Sequence, residues 1–228
     1  MKKPAFYTEL AYLFGTVILA FGTALMEWAD LGVSMVVAPA YVLHLKLSQY
    51  LPFFSFGMAE YTLQALIILF TILFLRRAKL SYLFSIVTAV FYGLLLDGAI
   101  ALLALVSLEH PAFRILFFTV GMLLCSLGVS LLFHTYISPE AYELFVKEVS
   151  GHYGISLHKF KTAYDCGSCL VAVILSFCFF GWWQFEGIGI GTVICALLNG
   201  TIIHLCSKLL DHIWEFRDGL SWRGFFER

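Results

Sequence analysis

Charge is scarce in this chain. Only 13% of its 228 residues are Asp, Glu, Lys or Arg, against 61% apolar, a balance outside that of soluble globular domains. The fourteen basic residues form no dense block, which removes nucleic acid from the partners to consider. The sequence has no H-E-x-x-H zinc pattern, no nucleophile set beside a base and no phosphate-handling acid cluster, so neither an enzyme nor a cofactor is expected. Six cysteines make no disulfide framework. Cys125, Cys178, Cys195 and Cys206 fall within apolar runs, where cysteine packs as a small hydrophobe. Met1-Lys2-Lys3 ahead of an apolar run imitates a signal peptide, but the run exceeds twenty residues and no small-residue cleavage site follows, so it reads as a retained first helix.

What the chain does have is apolar length. A membrane-spanning helix needs about twenty mostly apolar residues, and six segments qualify: 8–27, 58–76, 80–106, 112–134, 162–182 and 187–209. Two longer connections remain, 28–57 and 135–161. In the first, Met35 to Leu47 is mostly apolar, with Tyr41, His44 and Lys46 set among it, the pattern of a short helix lying at or dipping into the membrane edge. The second opens on Ser138-Pro139-Glu140, which reads as an N-cap, a proline at the first helical position and an acid in the first turn of an amphipathic helix ending at Gly151. Trp28, Trp182, Trp183, Trp214 and Trp222 all fall near span ends, as interfacial belts require.

The chain also repeats itself. Leu95-Leu96-Asp97-Gly98 returns 102 positions later as Leu197-Leu198-Asn199-Gly200. Gly15 and Gly22 match Gly121 and Gly128, Ala40-Tyr41 matches Ala141-Tyr142, and Gln64 falls opposite Asp165. With the N-terminus inside, twelve of the fourteen basic residues lie on the inner side and only Lys46 and Arg114 outside, which sets both termini in the cytoplasm. Three spans per half then make the second half enter the membrane upside down. The expected fold is all-α: six transmembrane helices as two inverted three-helix repeats, 1–110 and 111–209, short interfacial helices within each, and an amphipathic tail over 210–228.

The run Gly22-Thr23-Ala24-Leu25-Met26-Glu27-Trp28-Ala29-Asp30-Leu31-Gly32-Val33-Ser34, followed by Phe54-Ser55-Phe56-Gly57, Gln64 and Asp97-Gly98, resembles the bacterial YczE/YyaS/YitT-type integral membrane proteins. That resemblance implies a six-helix protein of the prokaryotic cytoplasmic membrane, often described as a transporter, and carries over no substrate.

Asp97 is the most informative single residue. A carboxylate within the hydrocarbon costs on the order of 3 kcal/mol on insertion scales, so it either lines a substrate or ion path, where it would serve as a proton site, or makes an interhelical hydrogen bond. Asn199 is its neutral counterpart. Glu60 and Gln64 share a helical face, as do Lys161 and Asp165 in the other half; these pairs are vestibule or gate residues on mirrored sides of a central seam, or interfacial groups reaching headgroup water. The paired glycines at 15, 22, 121 and 128 let backbones approach. Gly187, Gly189 and Gly191 allow close packing or an unwound entry. Cys166-Gly167-Ser168-Cys169 is half a soft-metal or dithiol site that His152, His158 or His204 would have to complete, or else packing. His204 also stands one turn below Asn199, within reach of a polar path, whereas His110, His134 and His212 lie near span ends.

The function expected is secondary transport, or channel-like passage, of a small solute across the bacterial inner membrane, proton-coupled through Asp97. The alternatives are the substrate-capture membrane subunit of an energised importer, or an accessory membrane protein without a solute. The partners such a chain would take are the bilayer, a small solute, and a second copy or an ATPase.

Overall fold

The computed structural model describes residues 3–77, 79–105 and 111–226; Lys2, His110 and Arg228 lie outside them. Among the described residues the regular structure is helical apart from two three-residue strands: α1 (Thr8–Ala29), α2 (Ala38–Leu47), α3 (Phe56–Leu75), α4 (Leu80–Leu103), α5 (Pro111–Phe133), α6 (Ala141–Tyr153), α7 (Leu157–Phe180), α8 (Ile190–Ile213) and a final turn, α9 (Arg223–Phe226). Among the described residues six helices are long and apolar enough to cross a membrane: α1, α3, α4, α5, α7 and α8. Large apolar side chains such as Leu73, Leu94, Ile115 and Leu170 stand exposed along them, as on a surface that faces lipid.

Two spans differ from the expected limits. α7 begins at Leu157, five residues ahead of the predicted 162, because Lys161 and Asp165 are buried in its first turns instead of marking the membrane edge. α8 covers Ile190–Ile213 and not 187–209, because 187–189 is drawn out as a loop against 31–33. There Val33 donates to the Gly187 carbonyl (3.4 Å) and Gly191 to that of Leu31 (3.0 Å). Gly32 needs its glycine, since it sits at φ 104° with Gly189 N 2.5 Å from where a Cβ would stand. The glycines of this segment therefore serve close packing.

α1 lies along α5 in the antiparallel sense. A Cβ on Gly15 would stand 3.0 Å from the Gly128 carbonyl oxygen and one on Gly22 2.8 Å from that of Gly121, with 2.7–2.8 Å in the reverse direction. Arg114, at the start of α5, pairs with Asp30 at the end of α1 (3.1 Å). α4 packs on α1 as α8 packs on α5, and α3 on α4 as α7 on α8; α2 touches both α3 and α7, and so does α6.

Both short helices start buried. α2 is buried at Ala38, Pro39 and Ala40, and α6 at Ala141, Tyr142 and Glu143, while their far ends emerge at Tyr50 and Tyr153. α6 also starts and ends later than Ser138 and Gly151 predict. Ser85 and Thr88 of α4 donate to the carbonyls of Pro139 (2.7 Å) and Ser138 (3.0 Å), which keeps those carbonyls out of the helical ladder. Glu140 is the N-cap, and Gly154 in the left-handed region (φ 65°) ends the helix.

The two chain ends meet on one side, as an even number of spans requires. Strand β1 (Ala5–Tyr7) pairs in parallel with β2 (Glu215–Arg217). Glu9 accepts from Tyr136 Oη (2.7 Å) and from the backbone of Gly219 (3.0 Å) and Leu220 (2.8 Å).

Candidate functional site

The buried ends of the short helices stand in a cluster of ionisable groups. Glu60 and Gln64 (α3), Glu140 and Glu143 (α6) and Lys161 and Asp165 (α7) are each 3% exposed or less. Gln64 joins them. Its Oε1 accepts the Ala141 N–H (3.0 Å), satisfying one of the open donors of the α6 N-terminus, and its Nε2 donates to Glu60 Oε2 (3.3 Å) and Glu140 Oε2 (3.1 Å). Tyr142 Oη donates to the same Glu60 oxygen (3.0 Å). Across the cluster, Lys161 Nζ lies 3.2 Å from Glu143 Oε1 and 3.0 Å from Asp165 Oδ1.

The charges do not balance. Four carboxylates face one ammonium, in surroundings where an unpaired charge is heavily penalised. Among the described residues Glu60 Oε1, Glu140 Oε1 and Glu143 Oε2 accept no hydrogen bond. Asp165 faces Lys161 and the Asn199 amide, but no well-aligned hydrogen bond reaches either of its oxygens. Glu140 stands outside the spanning segments, and burial, followed by repulsion from Glu143 and Glu60, pushes its carboxyl well above the usual range.

At the centre is a cavity of about 20 Å³, lined by Val36 and Val37 at the start of α2 and by Glu140, Tyr142 and Glu143 at the start of α6. Leu19, Tyr92 and Cys125, each near the middle of its span, close it together with Lys161 and Asn199. The N-termini of both short helices thus reach mid-height of the bundle and bring their positive dipole ends to one place. Larger spaces lie around the cavity: an apolar one of about 350 Å³ shares Val36 and Tyr142 with it, and two carry ionisable groups. One, of about 390 Å³, carries Glu27, Asp30 and Glu186 and is lined by Val33, next to the cavity's Ser34. The other, of about 270 Å³ toward the termini, is lined by His134, His158 and His204, and Lys161 borders both it and the cavity.

Gln64, Glu60 and Asp165, expected on mirrored sides of a seam, are gathered instead through α6 into one cluster. Asn199 borders the same cavity and accepts from Ser126 Oγ of α5 (2.8 Å). Asp97 sits apart at the N-terminus of α3, accepting from Ser55 Oγ (2.6 Å) and the Gly57 N–H (2.8 Å). His204 is exposed and stacks on His158, ring centroids 5.6 Å apart. Cys166 is exposed and donates to the Ala196 carbonyl (3.8 Å). Among the described residues no group of three or more His, Cys, Asp or Glu is arranged to hold a metal, so nothing completes the C-x-x-C pair. Sequence reasoning missed Glu140, Glu143 and Tyr142 by placing them in a surface helix. The signal was Ala141-Tyr142 itself, the repeat of Ala40-Tyr41 in a segment that is nearly all apolar.

No curated protein and no solved structure matches the chain. A family model does, over residues 6–208: a family of unknown function, DUF6198. Its description assigns no activity and makes no link to the YczE/YyaS/YitT-type proteins. With nearly the whole chain matched, the protein belongs to the DUF6198 family.

Proposed function

We propose that the protein is a secondary transporter, moving a small solute across the cytoplasmic membrane by alternating access around the central cluster. The observation that carries this reading is the unbalanced set of buried carboxylates around Lys161, at mid-height of six spans. A structural ion network gains stability only when every charge is paired and hydrogen-bonded, whereas four carboxylates on one ammonium, with oxygens left open, cost free energy that only a function justifies.

Under this proposal the two halves are inverted repeats. Exchanging α1 with α5, α2 with α6, α3 with α7 and α4 with α8 returns the main helix contacts. The glycine pairs are reciprocal, Gly15 on Gly128 and Gly22 on Gly121, which is the self-complementary pattern of a two-fold interface. α2 and α6 are then half-helices entering from opposite faces, a construction in which N-terminal dipoles meet at a midplane site. The space bordering Val33 is the outer approach and the one bordering Lys161, which also lines the cavity, the inner one. We assign the coupling ion to this cluster and Asp97 to holding the start of α3.

The test is reconstitution of the purified chain in liposomes on a solid-supported membrane, challenged with a panel of amino acids, sugars, organic acids and amines. A solute-dependent current present in the wild type and absent from Glu143→Gln supports transport. No current with any solute, together with a stoichiometric ATPase co-purifying in mild detergent, replaces this reading with that of a substrate-capture subunit.

A further inference from the structure

Resting on the transport reading, we propose that the central cavity binds one bare alkali cation, with Glu140 and Glu143 as its charged ligands. Lys161 already engages Glu143 Oε1 and Asp165, and Gln64 already engages Glu140 Oε2. Glu140 Oε1 and Glu143 Oε2 remain, on residues 1% and 3% exposed, without a hydrogen-bond partner among the described residues. Both residues line the same void. A neutral water placed there would satisfy the open acceptors but leave the charge surplus untouched; a cation satisfies the acceptors and offsets part of that surplus.

Size and ligand chemistry narrow the class. A void of about 20 Å³ has room for about one water-sized body, which leaves none for an organic ammonium or an ion with its hydration shell. Mg²⁺ keeps several waters and Ca²⁺ takes six to eight oxygens, more than this cavity offers. Ser34, Tyr142 and Asn199 also line the void, and their side-chain oxygens are the donor type a hard cation takes. No trio of His, Cys, Asp and Glu is needed for such a site, since amide and hydroxyl oxygens complete it. The 390 Å³ vestibule adds an approach: Glu27 and Glu186, beside the Asp30–Arg114 pair, leave its lining net negative, which concentrates cations at its mouth, and Val33 of its lining is followed in the chain by Ser34 of the cavity.

The experiment is thermal unfolding of the full chain in detergent at pH 8, followed by tryptophan fluorescence, in matched concentrations of sodium, potassium, calcium or choline chloride. Sodium or potassium is expected to raise the Tm saturably above its value in choline, by roughly 5–10 °C at a concentration 100-fold above Kd. Glu140→Gln and Glu143→Gln are each expected to remove that rise. Equal Tm in sodium, potassium and choline overturns the proposal and leaves the carboxyls holding protons. A larger rise in calcium overturns the monovalent assignment, and an alkali-cation effect retained in both variants overturns the site. The comparison of salts needs only the wild-type chain, so a variant that fails to fold does not blunt it. Solute-dependent current without an alkali-cation effect on Tm would overturn this inference while leaving the transport reading standing.

Discussion

Lys161 has nowhere else to put its charge. Buried between Glu143 and Asp165, it compensates two carboxylates that water cannot reach. Lys161→Met keeps the apolar stem and removes the ammonium, which should destabilise the protein by about 3–5 kcal/mol, seen as a Tm lower by roughly 6–20 °C. Adding Asp165→Asn should restore part of that loss; a single variant melting like the wild type would show that the pair contributes nothing. Asp97 acts at a smaller scale. It takes one hydrogen bond from Ser55 Oγ, which itself caps Met58 N (3.1 Å), and one from Gly57 N. Asp97→Asn keeps one acceptor and the shape, so it should lose about 1 kcal/mol, whereas Asp97→Ala strands both donors and should lose about 1–3 kcal/mol. Amide exchange over 56–60 should rise in the alanine variant alone. Unchanged exchange there would mean that Asp97 does not hold the start of α3.

Among the elements, α1 and α5 share the most extensive seam of the described residues, and their glycines set its closeness. A methyl on Gly22 meets the Gly121 carbonyl and Cys125 N at 2.8 Å, backbone that cannot yield as a side chain does. Gly22→Ala should therefore cost roughly 1–3 kcal/mol. Gly98, by contrast, has nothing within 4 Å of where a methyl would stand, and Gly98→Ala should gain roughly 0.5–1 kcal/mol from helix propensity. Thermal melts of the two variants should move in opposite directions, and a Gly22→Ala variant that melts no lower than the wild type would break the assignment of Gly22 to packing. These glycines and the six apolar runs were legible because spacing and hydropathy are local properties of the sequence. The central cluster was hidden because its members come from α3, α6 and α7. The charges on Lys161 and Asp165 imitate a membrane edge, and Ser138-Pro139-Glu140 imitates the start of an ordinary surface helix. Asp97 drew attention as a lone acid in an apolar run; what occupies it is Ser55 and Gly57, from a helix start forty residues away in the chain.

For the whole molecule, the reading of two opposed halves stands or falls with topology. The chain ends are tied together by the β1–β2 pairing, so a reporter on the tail speaks for both. Lys161 is buried and no longer counts toward a membrane side, yet the other eleven inner basic residues still oppose only Lys46 and Arg114. Under the proposed topology that asymmetry sets the tail in the cytoplasm and the loop between α7 and α8 outside. Trp183, 78% exposed, and Ser221, also exposed, are suitable reporter positions. In a background with the six native cysteines replaced, Trp183→Cys should react with a membrane-impermeant thiol reagent in intact spheroplasts. Ser221→Cys should react only after lysis. The opposite pattern would turn the molecule over, exchanging the outer and inner approaches. Labelling of both positions from outside would be incompatible with α8 crossing the membrane once, and would remove the inverted halves on which a rocking mechanism depends.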